Sequence, residues 1–306
     1  MPELQAEPLS PIDAATLWPQ LHRLTTEVIA TRAGENLLVA SGLAATGLTR
    51  LPRVPRTAVL GLKRGLNYRG VLVARELEGG AGWEVMSLRI VRDKDDEAVL
   101  SLLNATCEEV AQRGGRSLYL RYPEGTPHRE PIRRAGLVPY RLERLYAIPP
   151  SDRSSESVFR PANRRDRHGV FRLYCRVVPE HVRRQEAPTQ QDWRAVLDSY
   201  DCERQFVREG EGAIAAWAGF GARECRLMTE PALDEINDQA LDLVETHAPR
   251  HGTLVLGEDQ GALEQNALAR GFTPLGVRLL CARRLALLNP LKEVVAVPAG
   301  SAALPQ

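Results

Sequence analysis

The hydrophobic positions of this chain change period along its length, and the changes mark its elements. TAVLGLKR, RGVLVARE and WEVMSLRIV are short blocks rich in β-branched and apolar residues, and they predict three strands between residues 57 and 91. LEGGAG joins the last two as a hairpin turn. Over residues 95–112 the spacing becomes that of an amphipathic helix, which stops at Gly114-Gly115. SLYLRY then predicts a strand, residues 128–135 a helix ended by Gly136, and LVPYRLERLYAI one or two closing strands. Upstream, residues 4–9 form a first strand, and Ser10-Pro11 opens a helix whose stripe is Ile12, Leu17, Leu21, Leu24, Val28 and Ile29. A further helical stretch is expected over residues 35–47.

The same order returns after a break. FRLYCRVV is expected as a strand, followed by helices over residues 179–186 and 190–199. RQFVREG and AIAAWAGFG form a hairpin, ECRLMTEP the next strand, residues 234–247 an amphipathic helix and TLVLGE another strand. Residues 262–270 are a helix stopped by Gly271, and FTPLGVRLLCARRLAL is a closing strand pair. The break itself, PPSDRSSESVFRPANRRDRHG, holds only Val158 and Phe159 as large apolar residues, so it reads as a linker. The expected organisation is a domain over residues 1–148, a linker over 149–169, a second domain over 170–290 and a flexible tail over 291–306.

Composition narrows the class. Hydrophobic residues at 43% and charged residues at 26% are ordinary for a soluble globular protein of 306 residues. Apolar runs fall far short of the ~18 residues that cross a bilayer, and MPELQAEPLS has no signal-peptide pattern, so a cytoplasmic protein without membrane contact is expected. A net charge of +1 argues against a nucleic-acid partner. Residues 1–148 carry +3 and residues 170–306 carry −4, which favours docking of the halves, although salt screens the effect. The five cysteines are scattered and never spaced CxxC, so they read as reduced and mostly buried. His247 and His251 have the spacing of a metal pair, but Pro249 and Gly252 make a helix end running into a turn the better reading, and no metal is expected.

The order strand, two helices, three antiparallel strands, helix, strand, helix, strand resembles the GNAT superfamily of N-acyltransferases in both halves. HREPIRRAGLVPYRLERLYAI is similar to that family's fourth helix and last strands, and ALEQNALARGFTPLGVRLLCARR more closely so, with Gly271-Phe272 at the turn. VAQRGGRSLYLRY is similar to the junction of the third helix and fifth strand. The resemblance implies an α/β fold of two tandem GNAT-like domains, each a mixed, mainly antiparallel sheet flanked by helices. It further implies acetyl-CoA as co-substrate and a small-molecule or peptide amine as acceptor.

In that family the pantetheine arm lies where the fourth and fifth strands splay apart, and the pyrophosphate sits on amides of a glycine-containing loop at the start of the third helix. The resemblance places the cofactor in the first half on the backbone of Leu88, Ile90 and Val91, with Arg92 and Lys94 near the phosphates. Glu84 and Tyr122 would serve as general base and acid, or simply as a strand carboxylate and a packed aromatic. Both loops depart from the pattern. RDKDDEA and TEPALDEIND lack glycine and bring carboxylates that would cap the helix amides themselves. Ile132 and Ala267 stand where the family often has an acidic tyrosine. Six basic residues within residues 50–69 (Arg50, Arg53, Arg56, Lys63, Arg64, Arg69) suit an anionic ligand, a solvated edge or a dock for the second half. Two functions remain open: an acyl-CoA-dependent N-acyltransferase, or a catalytically degenerate binding or scaffold protein of the same fold.

Overall fold

A computed structural model describes residues 6–9, 13, 16–30, 56–65, 67–92, 95–150, 158–231 and 234–285. The helix expected over residues 35–47, the N-cap at Ser10 and the tail lie outside these residues. The strands are β1 (Ala6–Pro8), β2 (Thr26–Ala30), β3 (Thr57–Arg64), β4 (Asn67–Glu76), β5 (Gly82–Ile90), β6 (Ser117–Pro123) and β7 (Val138–Ala147) in the first half. The second half holds β8 (Arg160–Pro161), β9 (Arg204–Glu209), β10 (Ile214–Phe220), β11 (Glu224–Thr229), β12 (Thr253–Gly257) and β13 (Thr273–Arg284). The helices are α1 (Asp96–Gln112), α2 (Arg129–Arg134), α3 (Arg167–Val177), α4 (Glu180–Glu186), α5 (Gln190–Ser199), α6 (Asp234–His247) and α7 (Gly261–Ala269).

All thirteen strands belong to one mostly antiparallel sheet, with twelve in the order β1-β3-β4-β5-β6-β13-β7-β12-β11-β10-β9-β8 and β2 paired to β5 off that path. The centre of this order is crossed. β13 pairs with β6 from Arg278↔Pro123 to Arg284↔Ser117, and β7 pairs with β12 from Thr253↔Ala147 to Gly257↔Glu143. Each half therefore sends its last strand to the penultimate strand of the other, and β7 and β13 pair with each other between them. Pulling the halves apart would break all three ladders, so the two are joined by backbone hydrogen bonds and not by side-chain contact alone.

Three expectations are corrected. FRLYCRVV is not a strand but most of helix α3, because Val170, Leu173, Tyr174 and Val177 fall on one helical face and are buried. A reciprocal capping box between Asn163 and Asp166 nucleates the 3-10 turn that feeds it. The stripe ending at Val28 and Ile29 is not one helix. It passes through a 3-10 turn (Trp18–Arg23) into strand β2, whose Thr26, Val28 and Ile29 are β-branched and find free backbone partners on β5. The closing strand pair expected of FTPLGVRLLCARRLAL is the single strand β13; like β7, the one strand formed by LVPYRLERLYAI, it is long enough to serve two neighbours.

Helix α1 covers one face of β3, β4 and β5, burying Leu102, Leu103 and Val110 in a core with Leu60, Leu72 and Val85. Helix α6 does the same for β10 and β11 with Ile236, Leu241 and Val244. Helices α3 to α5 cover the opposite face of the second half, where the rings of Tyr174 and Trp193 stand 4.2 Å apart. Where α4 and α5 reach the crossed centre of the sheet, the layer beneath them is charged. Arg75 donates to Asp198 at 2.8 Å, Arg121 to Glu84 and to Ser199, Arg141 to Asp259 at 2.9 Å, and Arg226 and Arg278 to Glu143 at 2.5 and 2.8 Å. Arg75, Glu84, Arg121, Arg141, Glu143 and Arg226 are all buried.

Candidate functional site

Two parallel strand pairs, one in each half, begin together and then part. β5 meets β6 only from Gly82↔Ser117 to Glu84↔Tyr119, and β11 meets β12 only from Glu224↔Thr253 to Arg226↔Val255. Beyond those points each pair leaves a wedge with an edge of main-chain groups, since neighbouring residues of a strand direct their N–H and C=O to opposite sides. A wedge of this kind accepts an extended ligand by strand-like hydrogen bonding.

In the first half the wedge is filled by the chain itself. β2 runs antiparallel along β5 with Thr26↔Ile90, Glu27↔Arg89, Ile29↔Leu88 and Ala30↔Ser87 in register, shifting by a bulge between Glu27 and Ile29. Val28 and Ile29 are buried, and both join the core under α1. The turn leading to α1 is closed as well. Asp95 is its N-cap and accepts from the Ala98 amide at 3.3 Å, while Arg69 holds the same carboxylate at 2.8 Å. Asp96 accepts or shares a proton with His128 at 3.1 Å, and Glu97 pairs with Arg134 at 3.3 Å. The acidic residues of this loop thus occupy the positive end of the helix, as their placement in sequence suggested.

The residues expected to form the first-half site are distributed as follows. The main chains of Leu88 and Ile90 are in register with β2, and their side chains are buried under α1. The amide of Val91 donates to the carbonyl of Arg69 at 2.9 Å. Arg92 is exposed, and Lys94 lies outside the described residues. Glu84 and Tyr122 are not brought together. Tyr122 points into the α1 core with Leu118 and Leu120, and burial beside Cys281 pushes its hydroxyl up to about 12. Glu84 is on the other face, bound by Arg121 and 3.6 Å from Arg75. Of the described basic residues at 50–69, Arg56 faces Glu76, Lys63 pairs with Asp13 and Arg69 holds Asp95, all partners in their own half, while Arg64 is exposed.

The second wedge is crossed by the side chain of Gln260. Gln260, at the start of α7, donates from Nε2 to the Leu227 carbonyl at 2.7 Å and accepts from the Gly257 amide at 3.0 Å. Its carboxamide spans the gap as a ligand amide would, with one donor and one acceptor. Behind it, Thr229 donates to Asn237 Oδ1 at 2.6 Å, and the buried Asn237 Nδ2 has no partner among the described residues. Gly257 has no space for a side chain, since an added Cβ would lie 2.3 Å from Arg141 Nη2. Helix α6 opens with Asp234 and Glu235 in its first turn. Sequence reasoning missed Gln260 and Asn237. A single amide residue has no pattern, and its meaning comes only from the strands that part on either side of it.

No protein-family model matches the chain, and no curated protein sequence matches it. Solved structures do match over nearly the full length. A tandem GNAT protein from the clavulanic acid biosynthesis pathway aligns over 92% of this chain and 98% of its own, at 13% identity and a TM-score of 0.51. A putative acetyltransferase from Pyrococcus horikoshii covers 94% and 91% at 9% identity and a TM-score of 0.52. A GCN5-related N-acetyltransferase from Sphaerobacter thermophilus covers 93% and 96% at 11% identity and a TM-score of 0.50. With the element order and the two wedges, these likenesses define the class: the chain has the tandem GNAT fold. No described helix is long and apolar enough to cross a membrane.

Proposed function

We propose that this protein is an acyl-CoA-dependent N-acyltransferase of GNAT type whose co-substrate is held by the second half, with the first half as its structural partner. The reading rests on the contrast between the wedges: β2 fills the one between β5 and β6, whereas among the described residues no strand enters the one between β11 and β12, which the Gln260 side chain crosses. The acyl thioester supplies an activated carbonyl when bound. The Leu227 amide and the Thr229 main chain face the open side of β11 by strand alternation and would pair with an extended amide-bearing arm, the Leu227 carbonyl being held by Gln260. Asn237 offers a buried donor that lacks an acceptor. An amine acceptor would lose its proton to water, since Ala267 occupies the position where a tyrosine would serve.

A non-catalytic binding protein is the second reading. It is favoured by the carboxylates at both helix starts, where Asp95 caps α1 and Asp234 and Glu235 open α6. Calorimetric titration of the whole chain with acetyl-CoA and with CoA separates the two. The transferase reading expects one saturable site, unaffected by Arg92→Ala and lost in Gln260→Trp, which fills the second wedge. Absence of binding at millimolar ligand would leave the binding-protein reading. Binding abolished by Arg92→Ala would move the site to the first half.

A further inference from the structure

The charged layer under α4 and α5 has one carboxylate more than its guanidiniums serve. Arg75, Arg121, Arg141, Arg226 and Arg278 face Glu84, Glu143, Glu186, Glu224, Asp198 and Asp259 through contacts of 4 Å or less. Five of these acids accept at least one hydrogen bond from an arginine, and Glu186 accepts none. Arg141 Nη1 stands 3.5 Å from Glu186 Oε2, while its Nη2 donates to Asp259 at 2.9 Å. Glu186 Oε1 accepts from the Tyr200 hydroxyl at 3.2 Å, and Oε2 has no hydrogen-bond partner. Glu186 is 4% exposed, so bulk water does not solvate the charge.

A second observation lies beside it. A small cavity of about 20 Å³ is lined by Glu186, Glu84, Arg121, Tyr140 and Ser199 among others. This is room for one water. Glu84 Oε2, on the cavity wall, also lacks a hydrogen bond, and Arg75 stands 3.6 Å from it. Two unserved carboxylate oxygens around a one-water space are costly as two anions, and are satisfied if one of them carries a proton.

We propose that Glu186 is a neutral carboxylic acid in the folded protein, and that the cavity is a single-water site through which its O–H is linked to the Glu84 carboxylate. The proton on Glu186 Oε2 donates to the water oxygen, and the water donates to Glu84 Oε2. The layer is then electrically balanced. The groups facing Glu186 fit this assignment. Burial disfavours its charged form, Arg141 and Arg121 favour it and Glu143 opposes it, and burial outweighs the rest so that its pKa is pushed up. Tyr174 and Tyr200 stay protonated, raised chiefly by burial. A group with a raised folded pKa contributes most below its unfolded value of 4.5, and that contribution is lost as pH climbs toward the folded value. The sign is opposite to that of Glu143 and Glu224.

Infrared spectroscopy of the whole chain at neutral pH tests this through the carbonyl stretch of a protonated carboxyl group. The expected result is one such band in the wild type that is absent in Glu186→Gln. In urea, Glu186→Gln should be as stable as the wild type at pH 7 or up to about tenfold more so in its unfolding constant (~1.4 kcal/mol). A wild-type spectrum without the band, or a band that persists in Glu186→Gln and disappears in Glu84→Gln, overturns the assignment. So does thermal stability that depends on exchanging sodium for choline, which would place a cation in the cavity. The wild-type spectrum is decisive even if a variant fails to fold. A high-resolution crystal structure should show one density peak within hydrogen-bonding reach of both carboxylates, and its absence refutes the water link.

Discussion

Replacing Glu143 with Gln removes the anion at the centre of the crossed sheet. The carboxylate is 1% exposed and meets three guanidiniums: Arg226 at 2.5 and 3.4 Å, Arg278 at 2.8 Å and Arg121 at 3.9 Å. The neutral amide keeps the volume but leaves three buried cations short of one negative charge. Removing one partner from a buried ion pair costs about 3–5 kcal/mol, far more than the ~0–1 kcal/mol of an exposed pair. Urea unfolding at pH 7, followed by circular dichroism, should therefore show Glu143→Gln destabilised by about 3–5 kcal/mol. The pH dependence fixes the cause. The surrounding arginines hold Glu143 well below its ordinary 4.5, and Arg278 and Arg226 hold Glu224 at about 2. Their stabilisation is complete above 4.5 and is lost as pH falls toward 2, so the wild type should weaken across that window and Glu143→Gln should weaken less. A variant within about 1 kcal/mol of the wild type at pH 7 would refute the reasoning, because it would mean that water reaches the three guanidiniums.

Other consequences follow from the packing. Ile29→Ala in β2 removes a side chain that is 1% exposed, and should cost about 2–5 kcal/mol in thermal or urea unfolding; a cost below 1 kcal/mol would mean that β2 is not anchored in the first wedge. Gly115→Ala places a Cβ 2.4 Å from Val110 Cγ1 and 2.7 Å from Trp83 Cδ1, so it should lower stability by about 1–3 kcal/mol through overpacking, whereas Gly114→Ala meets no atom within 4 Å and acts only through its φ of 86°.

Much of the architecture was legible because local rules and burial agreed. The three central strands of each half, the long helices α1 and α6, and the stops at Gly114, Gly136 and Gly271 carry their period and their punctuation in the residues themselves. The failures have a common cause. FRLYCRVV is short and apolar enough to suit either period, and the capping box that decides for helix is built from Asn163 and Asp166, inside the stretch read as linker. Thr26, Val28 and Ile29 fit a helical stripe on paper, and only the free edge of β5 turns them into a strand.

The candidate sites divide along the same line. That carboxylates would occupy the helix starts was readable, because Asp95 needs only its own following residues to cap α1. The alternation of charged residues in YRLERLY, ECRLM and GVRLL reads as a solvent face, since a strand alone shows which residues share a side but not what covers that side. Helices α4 and α5 cover it, and the strand exchange of β7 and β13 brings Glu143 to arginines from β6, β11 and β13. The sequence by itself determined most of the elements, their order and the tandem repeat, because these depend on neighbours a few positions away. Which wedge is filled, which carboxylate is left without an arginine and how the halves are joined depend on contacts between residues more than forty positions apart, and those exist only once the sheet has closed.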